Sequence, residues 1–102
     1  MIVITGRMKI SERNRDAFFA ISNKQVELSR KEAGCLNYWL YEDTMDAGTF
    51  FFYEEWKDRE AVSFHFEQAY CLEFVRELRG ITEGKADMKI RTIAEKSEKP
   101  AN

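Results

Sequence analysis

The stretch CLNYWLYEDTMDAGTFFFYEEW, residues 35–56, decides the fold. Residues 35–43 and 49–56 are rich in aromatic and other apolar side chains and predict two strands, which the turn at residues 45–48 joins. Both strands carry apolar side chains on both faces. In the first, Leu36, Tyr38 and Leu40 are expected to oppose Cys35, Trp39 and Tyr41. In the second, Phe50, Phe52 and Trp56 are expected to oppose Phe51 and Tyr53.

Upstream of this hairpin, the sequence predicts one strand and one helix. Residues 2–8 are apolar and β-branched, typical of a strand. Residues 12–31 have helical spacing of apolar positions and predict an amphipathic helix, with Ser11 as its N-cap and Gly34 as a left-handed residue that ends it. The apolar positions of this helix are Ala17, Phe18, Ile21, Val26 and Leu28.

Downstream, Asp58 is expected to cap a helix over residues 59–67, and a further helix covers residues 69–78. Its inward positions are expected to be Leu72, Val75 and Leu78, with Phe74 as the alternative to Leu78. Gly80 and Gly84 are expected to bracket a loop before a last strand at residues 86–94. The resulting order is β-α-β-β-α-β with the second helix divided. It predicts an α+β ferredoxin-like fold, a four-stranded antiparallel sheet with helices on one face.

Because two helices can cover only one face of this sheet, the second apolar face needs another partner. Monomeric proteins seldom expose apolar patches of more than a few hundred Å². Burial of about 600 Å² of such surface would give a gross gain of roughly 15 kcal/mol. We therefore expect a homodimer in which two sheets stack face to face; the alternative is a monomer covered by its own loops.

The amino-acid composition excludes several classes of protein. The chain has 102 residues, which suits one domain at residues 1–94 followed by a polar tail at residues 95–102. With 16 Lys+Arg against 18 Asp+Glu, the chain lacks the basic excess of a nucleic-acid binder. No apolar run is long enough to span a membrane, so a cytoplasmic location is the default expectation. The two cysteines, 35 and 71, are expected to be reduced thiols rather than metal ligands.

Several segments resemble the antibiotic biosynthesis monooxygenase family of small dimeric α+β-barrel proteins, which includes quinol monooxygenases and polyketide-oxidising enzymes. The matching segments are the apolar first strand, EAGCLNYWLYED at residues 32–43 and FYEEWKDREAVSFH at residues 52–65. Within them, Gly34-Cys35-Leu36-Asn37-Tyr38 matches the family's start of strand two. Tyr53-Glu54-Glu55-Trp56 matches its end of strand three, and His65 follows nine residues after the tryptophan.

The resemblance implies a cofactor-independent monooxygenase that oxidises a hydroquinone or a related phenolic, polyketide-like aromatic with dioxygen. Similar enzymes use no flavin, haem or metal, because the deprotonated substrate itself reduces dioxygen. The haem-degrading branch differs at three positions, where this chain has Gly6, His65 and Val75. Quinol-oxidising members often carry Ser/Thr-Pro-His after the helix histidine, where this chain reads Gln68-Ala69-Tyr70.

Six residues are candidates for the site. His65 has the side chain best suited to accept a phenolic proton at neutral pH, although a structural histidine hydrogen-bonded across the fold is the alternative. The expected substrate-binding residues are Phe52, Glu54, Trp56, Trp39 and Tyr70.

The sequence leaves two alternatives open for these candidates. Glu54 would need a partner such as Arg76 or His65, either to orient the histidine or as a structural ion pair. Tyr38 and Trp39 point to opposite faces, so at most one lines the pocket.

The charged runs at residues 30–32 and 57–60 are expected to be solvated helix ends.

Two other functions remain open on the sequence. Similar small proteins isomerise or degrade a phosphorylated signalling sugar, without needing oxygen. A dimeric module could also bind a small aromatic without turnover.

Overall fold

The computed structural model describes residues 1–94. Its elements are β1 (Ile2–Ile10), a 3₁₀ turn (Glu12–Asn14), α1 (Arg15–Arg30), β2 (Cys35–Glu42), β3 (Thr49–Trp56), α2 (Arg59–Glu67), α3 (Ala69–Ile81) and β4 (Thr82–Thr92). This confirms the predicted element order. The predicted polar tail, residues 95–102, lies outside the described residues. No helix within residues 1–94 is long and apolar enough to cross a membrane.

The four strands form one antiparallel sheet in the order β2-β3-β1-β4. β1 lies between β3 and β4, so that Ile4 is opposite Glu54 on one side and opposite Ile90 on the other. The helices pack on one face, which confirms the α+β ferredoxin-like fold.

The core lies between this sheet and the helices. Phe18 of α1 packs on Phe50 with ring centroids 4.4 Å apart, and Phe74 of α3 packs on Phe52 at 5.7 Å. Full burial of side chains of this size stabilises a fold by about 1.5–3 kcal/mol each. The face of β3 that carries Phe50, Phe52 and Trp56 is therefore the one that meets the helices.

A β-bulge at the start of β2 changes which of its side chains point toward the helices. Cys35 pairs with Trp56 but Asn37 pairs with Glu55, so that Leu36 is an extra residue without a partner of its own. Leu36 is half exposed, and Cys35 packs against the core instead. The prediction that placed Leu36 on the same face as Tyr38 is therefore wrong at this end of the strand.

The start of the first helix also differs from the prediction. A 3₁₀ turn precedes α1, and the Ser11 side chain makes no capping hydrogen bond. Gly34 is not left-handed either, because the positive-φ glycines within residues 1–94 are Gly48 and Gly84. A Cβ added at Gly34 would lie 2.3 Å from the Cβ of Ala61, so glycine is needed there for the close approach of α2.

In the second half, the N-cap of α2 is confirmed, because the Asp58 carboxylate accepts a hydrogen bond from the Ala61 amide at 2.9 Å. The loop predicted between Gly80 and Gly84 is wrong. Gly80 lies in α3, and Gly84 lies in β4 with a φ of +67°. Leu72, predicted to point inward, is 60% exposed; the buried residues of α3 are Cys71 and Phe74.

The other face of the sheet carries the expected aromatic side chains. Trp39 stacks on Tyr53 with centroids 5.7 Å apart, and Tyr41 and Phe51 are exposed beside them. No element within residues 1–94 covers this face.

Candidate active site

A cavity of about 510 Å³ lies between the sheet and the helices. Most of its lining is apolar and comes from Ile4, Met8, Phe52, Phe66, Phe74, Val75, Leu78 and Met88. Its polar and ionisable lining residues are Gln25, Tyr38, Glu54, His65, Cys71, Arg79, Thr82 and Lys85. The lining residues from the end of α3 and from β4 are mostly exposed, whereas the remainder are mostly buried. The cavity therefore opens between α3 and β4.

His65, in the last turn of α2, is 1% exposed. Its Nδ1 lies 2.9 Å from Oε2 of Glu32, and its Nε2 lies 3.6 Å from Sγ of Cys71. A carboxylate can only accept a hydrogen bond, so Nδ1 carries the proton and Nε2 keeps its lone pair. Burial lowers the pKa of His65, partly opposed by Glu32, which favours the neutral ring at neutral pH. His65 is thus held with Nε2 as a proton acceptor.

Glu32 orients this histidine. Its side chain is 8% exposed, and Oε2 also accepts a hydrogen bond from the Tyr70 hydroxyl. Burial and this carboxylate raise the pKa of Tyr70, so the phenol stays protonated as a donor. The prediction that residues 30–32 are a solvated helix end is wrong for Glu32, because the turn after α1 brings its side chain under α2 and α3.

Glu54 is a carboxylic acid that lines the cavity and is 7% exposed. Its Oε1 accepts a hydrogen bond from Nε1 of Trp56 at 2.9 Å. Burial raises the pKa of Glu54 to about 7, although hydrogen bonds from Trp56 and Tyr38 oppose the change. Neither Arg76 nor His65 is its partner, contrary to the sequence-based expectation, because Arg76 is exposed and His65 is bound to Glu32.

Gln25 of α1 connects two further lining residues. Its Nε2 lies 3.3 Å from the Tyr38 hydroxyl and 3.6 Å from Sγ of Cys71. Burial raises the pKa values of both the Tyr38 phenol and the Cys71 thiol. Both groups are therefore neutral hydrogen-bonding groups at neutral pH.

The six residues proposed from the sequence occupy four kinds of position. Phe52, Glu54 and His65 line the cavity. Trp56 lies behind them, fully buried, with its ring 4.3 Å from the imidazole and its Nε1 on Glu54.

Trp39 and Tyr70 do not line the cavity. Trp39 stacks on Tyr53 on the opposite face of the sheet, so Tyr38 is the one of the neighbouring pair that reaches the cavity. Tyr70 directs its hydroxyl to Glu32 and acts on the site through that carboxylate.

Sequence reasoning missed Gln25, Glu32 and Cys71. A signal was present in α1, whose buried residues are Phe18, Ser22, Gln25 and Ser29. Three polar residues at helical spacing thus occupy the line that faces the core, and the apolar Ile21, Val26 and Leu28 flank it. Buried polar side chains need partners, so such a line in a helix indicates a polar site beneath it.

Within residues 1–94, no three His, Cys, Asp or Glu side chains are arranged to hold a metal ion.

Solved structures with the same fold include a protein described as an antibiotic biosynthesis monooxygenase. It is 25% identical, has a TM-score of 0.85 and matches 93% of this chain and 100% of its own. A protein from Deinococcus radiodurans has a TM-score of 0.89 at 19% identity, covering 99% of this chain and 100% of its own, and supports the fold alone.

Two sequence relatives cover most of the chain. An uncharacterized protein of Synechocystis sp., sll1783, is 37% identical over 92% of this chain, which spans only 64% of that relative's length. A Bacillus subtilis protein named "Putative monooxygenase YcnE" is 33% identical over 90% of this chain and 96% of its own. The sequence pattern of the family described as antibiotic biosynthesis monooxygenase matches residues 1–77. The chain belongs to the antibiotic biosynthesis monooxygenase family.

Proposed function

We propose that this protein is a cofactor-independent monooxygenase that oxidises a hydroquinone or a related phenolic aromatic with dioxygen. The observation that carries the proposal is the pairing of His65 with Glu32 at the wall of an apolar cavity of about 510 Å³. An apolar chamber with a few fixed polar groups suits a flat aromatic ligand. A neutral imidazole with an unprotonated Nε2 suits the removal of a phenolic proton.

In the proposed reaction, a substrate hydroxyl replaces the Cys71 thiol as the hydrogen-bond donor to Nε2 of His65. The proton moves to Nε2, and the Glu32 carboxylate stabilises the resulting imidazolium through Nδ1. The phenolate then reduces dioxygen directly. For a hydroquinone, one oxygen atom enters the ring and the other leaves as water, so that the products are a hydroxyquinone and water.

The two other functions open on the sequence place different demands on the cavity. A phosphorylated sugar needs many hydrogen-bonding partners, whereas most of the cavity lining is apolar and includes side chains such as Phe52 and Phe74. A binding module without turnover would have little use for a histidine that a buried carboxylate orients. The lining and the Glu32–His65 pair therefore support the oxidative reaction over both.

We further propose that two copies associate through the sheet face that carries Trp39, Tyr41, Phe51 and Tyr53. In a single chain this aromatic face is open to solvent over residues 1–94. Stacking two such faces would remove it from water and leave each cavity, on the opposite side of its sheet, accessible.

The test is oxygen uptake by metal-free protein with a panel of reduced benzoquinols and naphthoquinols. The wild-type rate should exceed the spontaneous rate, and His65→Asn should reduce the excess by about 100-fold or more. Glu60→Gln, an exposed change on the same helix, serves as the control and should retain the rate. An excess rate that His65→Asn leaves intact would contradict the proposed role of the histidine. The lack of any excess rate would contradict the reaction.

A further inference from the structure

The unusual feature of the cavity is that it contains a carboxylic acid, Glu54, that no cation neutralises. Glu54 forms no ion pair with a Lys, Arg or His side chain within residues 1–94. Its partners are the neutral indole of Trp56 and the neutral phenol of Tyr38. A buried carboxyl without a cation weakens a fold, because an ionised carboxylate loses its hydration there. An apolar residue or glutamine would fill this position at lower cost, so stability does not account for the acid.

The geometry leaves Glu54 available to a ligand. The Trp56 indole engages Oε1, and Glu54 contributes to the cavity lining, so its second oxygen can meet a hydroxyl group in the cavity. Trp56 contacts both ionisable groups: the imidazole of His65 packs against its ring, and Glu54 accepts the hydrogen bond of its Nε1. His65 and Glu54 are thus two distinct acceptors that one aromatic molecule can reach at different positions.

We propose that Glu54 is a second catalytic proton acceptor, which takes the proton of one hydroxyl of the bound hydroquinone while His65 takes that of the other. This inference rests on the proposed function. Oxidation of a hydroquinone releases two hydroxyl protons, and each needs an acceptor at the buried inner wall of the cavity. When one atom of dioxygen leaves as water, the two protons held by His65 and Glu54 complete that water, and both residues return to their starting states. The hydrogen displaced from the ring stays with the product as its new hydroxyl proton.

The electrostatic environment agrees with this role. A carboxyl group with a pKa of about 7 can both accept and return a proton near neutral pH. The groups that face it are Trp56 and Tyr38 as hydrogen-bond donors and Glu32 as a nearby negative charge. The first two favour the ionised form, and the third favours the protonated form.

The first test is the pH dependence of oxygen uptake with 1,4-naphthohydroquinone, for wild type, Glu54→Gln, Glu54→Asp and the control Glu60→Gln. We expect the wild-type rate to rise with pH through a midpoint of about 7. The rate of Glu54→Gln should not rise with pH and should be lower than that of wild type by about 100-fold or more. Glu54→Asp should retain part of the pH dependence and part of the rate. A Glu54→Gln variant with the wild-type rate and profile would overturn the inference and leave the proposed function standing.

The second test does not require turnover. Infrared difference spectra should show a protonated carboxyl band that is lost on titration through about pH 7 and is missing from Glu54→Gln. Saturating 2-naphthol, a phenol that serves as the probe, should shift this band if Glu54 contacts the ligand. An unshifted band would overturn the inference even where the wild-type protein oxidises quinols. A shifted band in a protein without turnover would contradict the proposed reaction while supporting the contact.

Discussion

Replacing Glu54 by glutamine is expected to stabilise the protein above neutral pH and to change its stability little at acidic pH. Burial raises the pKa of this carboxyl from 4.5 to about 7. A raised pKa means that the fold favours the protonated acid. The contribution of Glu54 to the free energy of unfolding is therefore fully present below the unfolded value of 4.5 and is lost as the pH rises through about 7. At roughly 1.4 kcal/mol per pH unit, the loss amounts to about 3 kcal/mol.

Glutamine has the shape of the protonated acid and does not titrate, so it is not subject to this loss. The assay is urea unfolding of both proteins at one concentration, at several pH values from about 4.5 to 8. The free energy of unfolding of Glu54→Gln should increase relative to that of wild type by about 3 kcal/mol across this range. His65 and Glu32 are common to both chains, so their own titration largely cancels in the difference. Glu60→Gln should show no such trend. If the difference in free energy of unfolding between wild type and Glu54→Gln stays constant with pH, Glu54 does not titrate as described.

Three further predictions concern the packing around the site. Gly34→Ala should lower the free energy of unfolding by about 1–3 kcal/mol, because the new Cβ would lie 2.3 Å from that of Ala61. Gly80→Ala, in α3 with no atom within 4 Å of the added Cβ, is the matched control and should instead be neutral or stabilising in urea unfolding. Asp58→Ala should cost about 1 kcal/mol by the same measurement, because α2 loses its N-cap, and a change near zero would contradict that role. Trp56→Phe should raise the pKa of Glu54 further, because the indole hydrogen bond lowers it; a carboxyl infrared band with an unchanged midpoint would argue against that hydrogen bond.

The fold could be predicted from the sequence because its signals are local and repeated. The apolar runs at residues 35–43 and 49–56 and the cap at Asp58 agree with the strands and the helix that form there. Two of the errors lie where the folded structure overrode a local preference. Gly34 is required by the approach of Ala61 rather than by a left-handed turn, and Leu36 is displaced by a bulge that alternation alone does not reveal.

The site was less predictable, because its key partnership joins residues distant in the chain. His65 and Glu32 are 33 residues apart, and Glu32 belongs to a charged run that resembles an ordinary solvated helix end. Burial of Glu54 followed from its position on the inner face of β3. The identity of its partner did not, because the Trp56 indole reaches Glu54 only in the folded strand. The polar line on α1 was the one overlooked signal available from spacing alone.

The central claim is that His65 enables this chain to place an atom of dioxygen in a phenolic ring. The most direct measurement is mass spectrometry of the product formed from 1,4-naphthohydroquinone under isotopically labelled dioxygen, with wild type and His65→Asn compared at equal concentration. We expect one labelled oxygen atom in each hydroxyquinone formed by wild type and a large loss of labelled product with His65→Asn. A product without label, or labelled product at the same rate from His65→Asn, would contradict it.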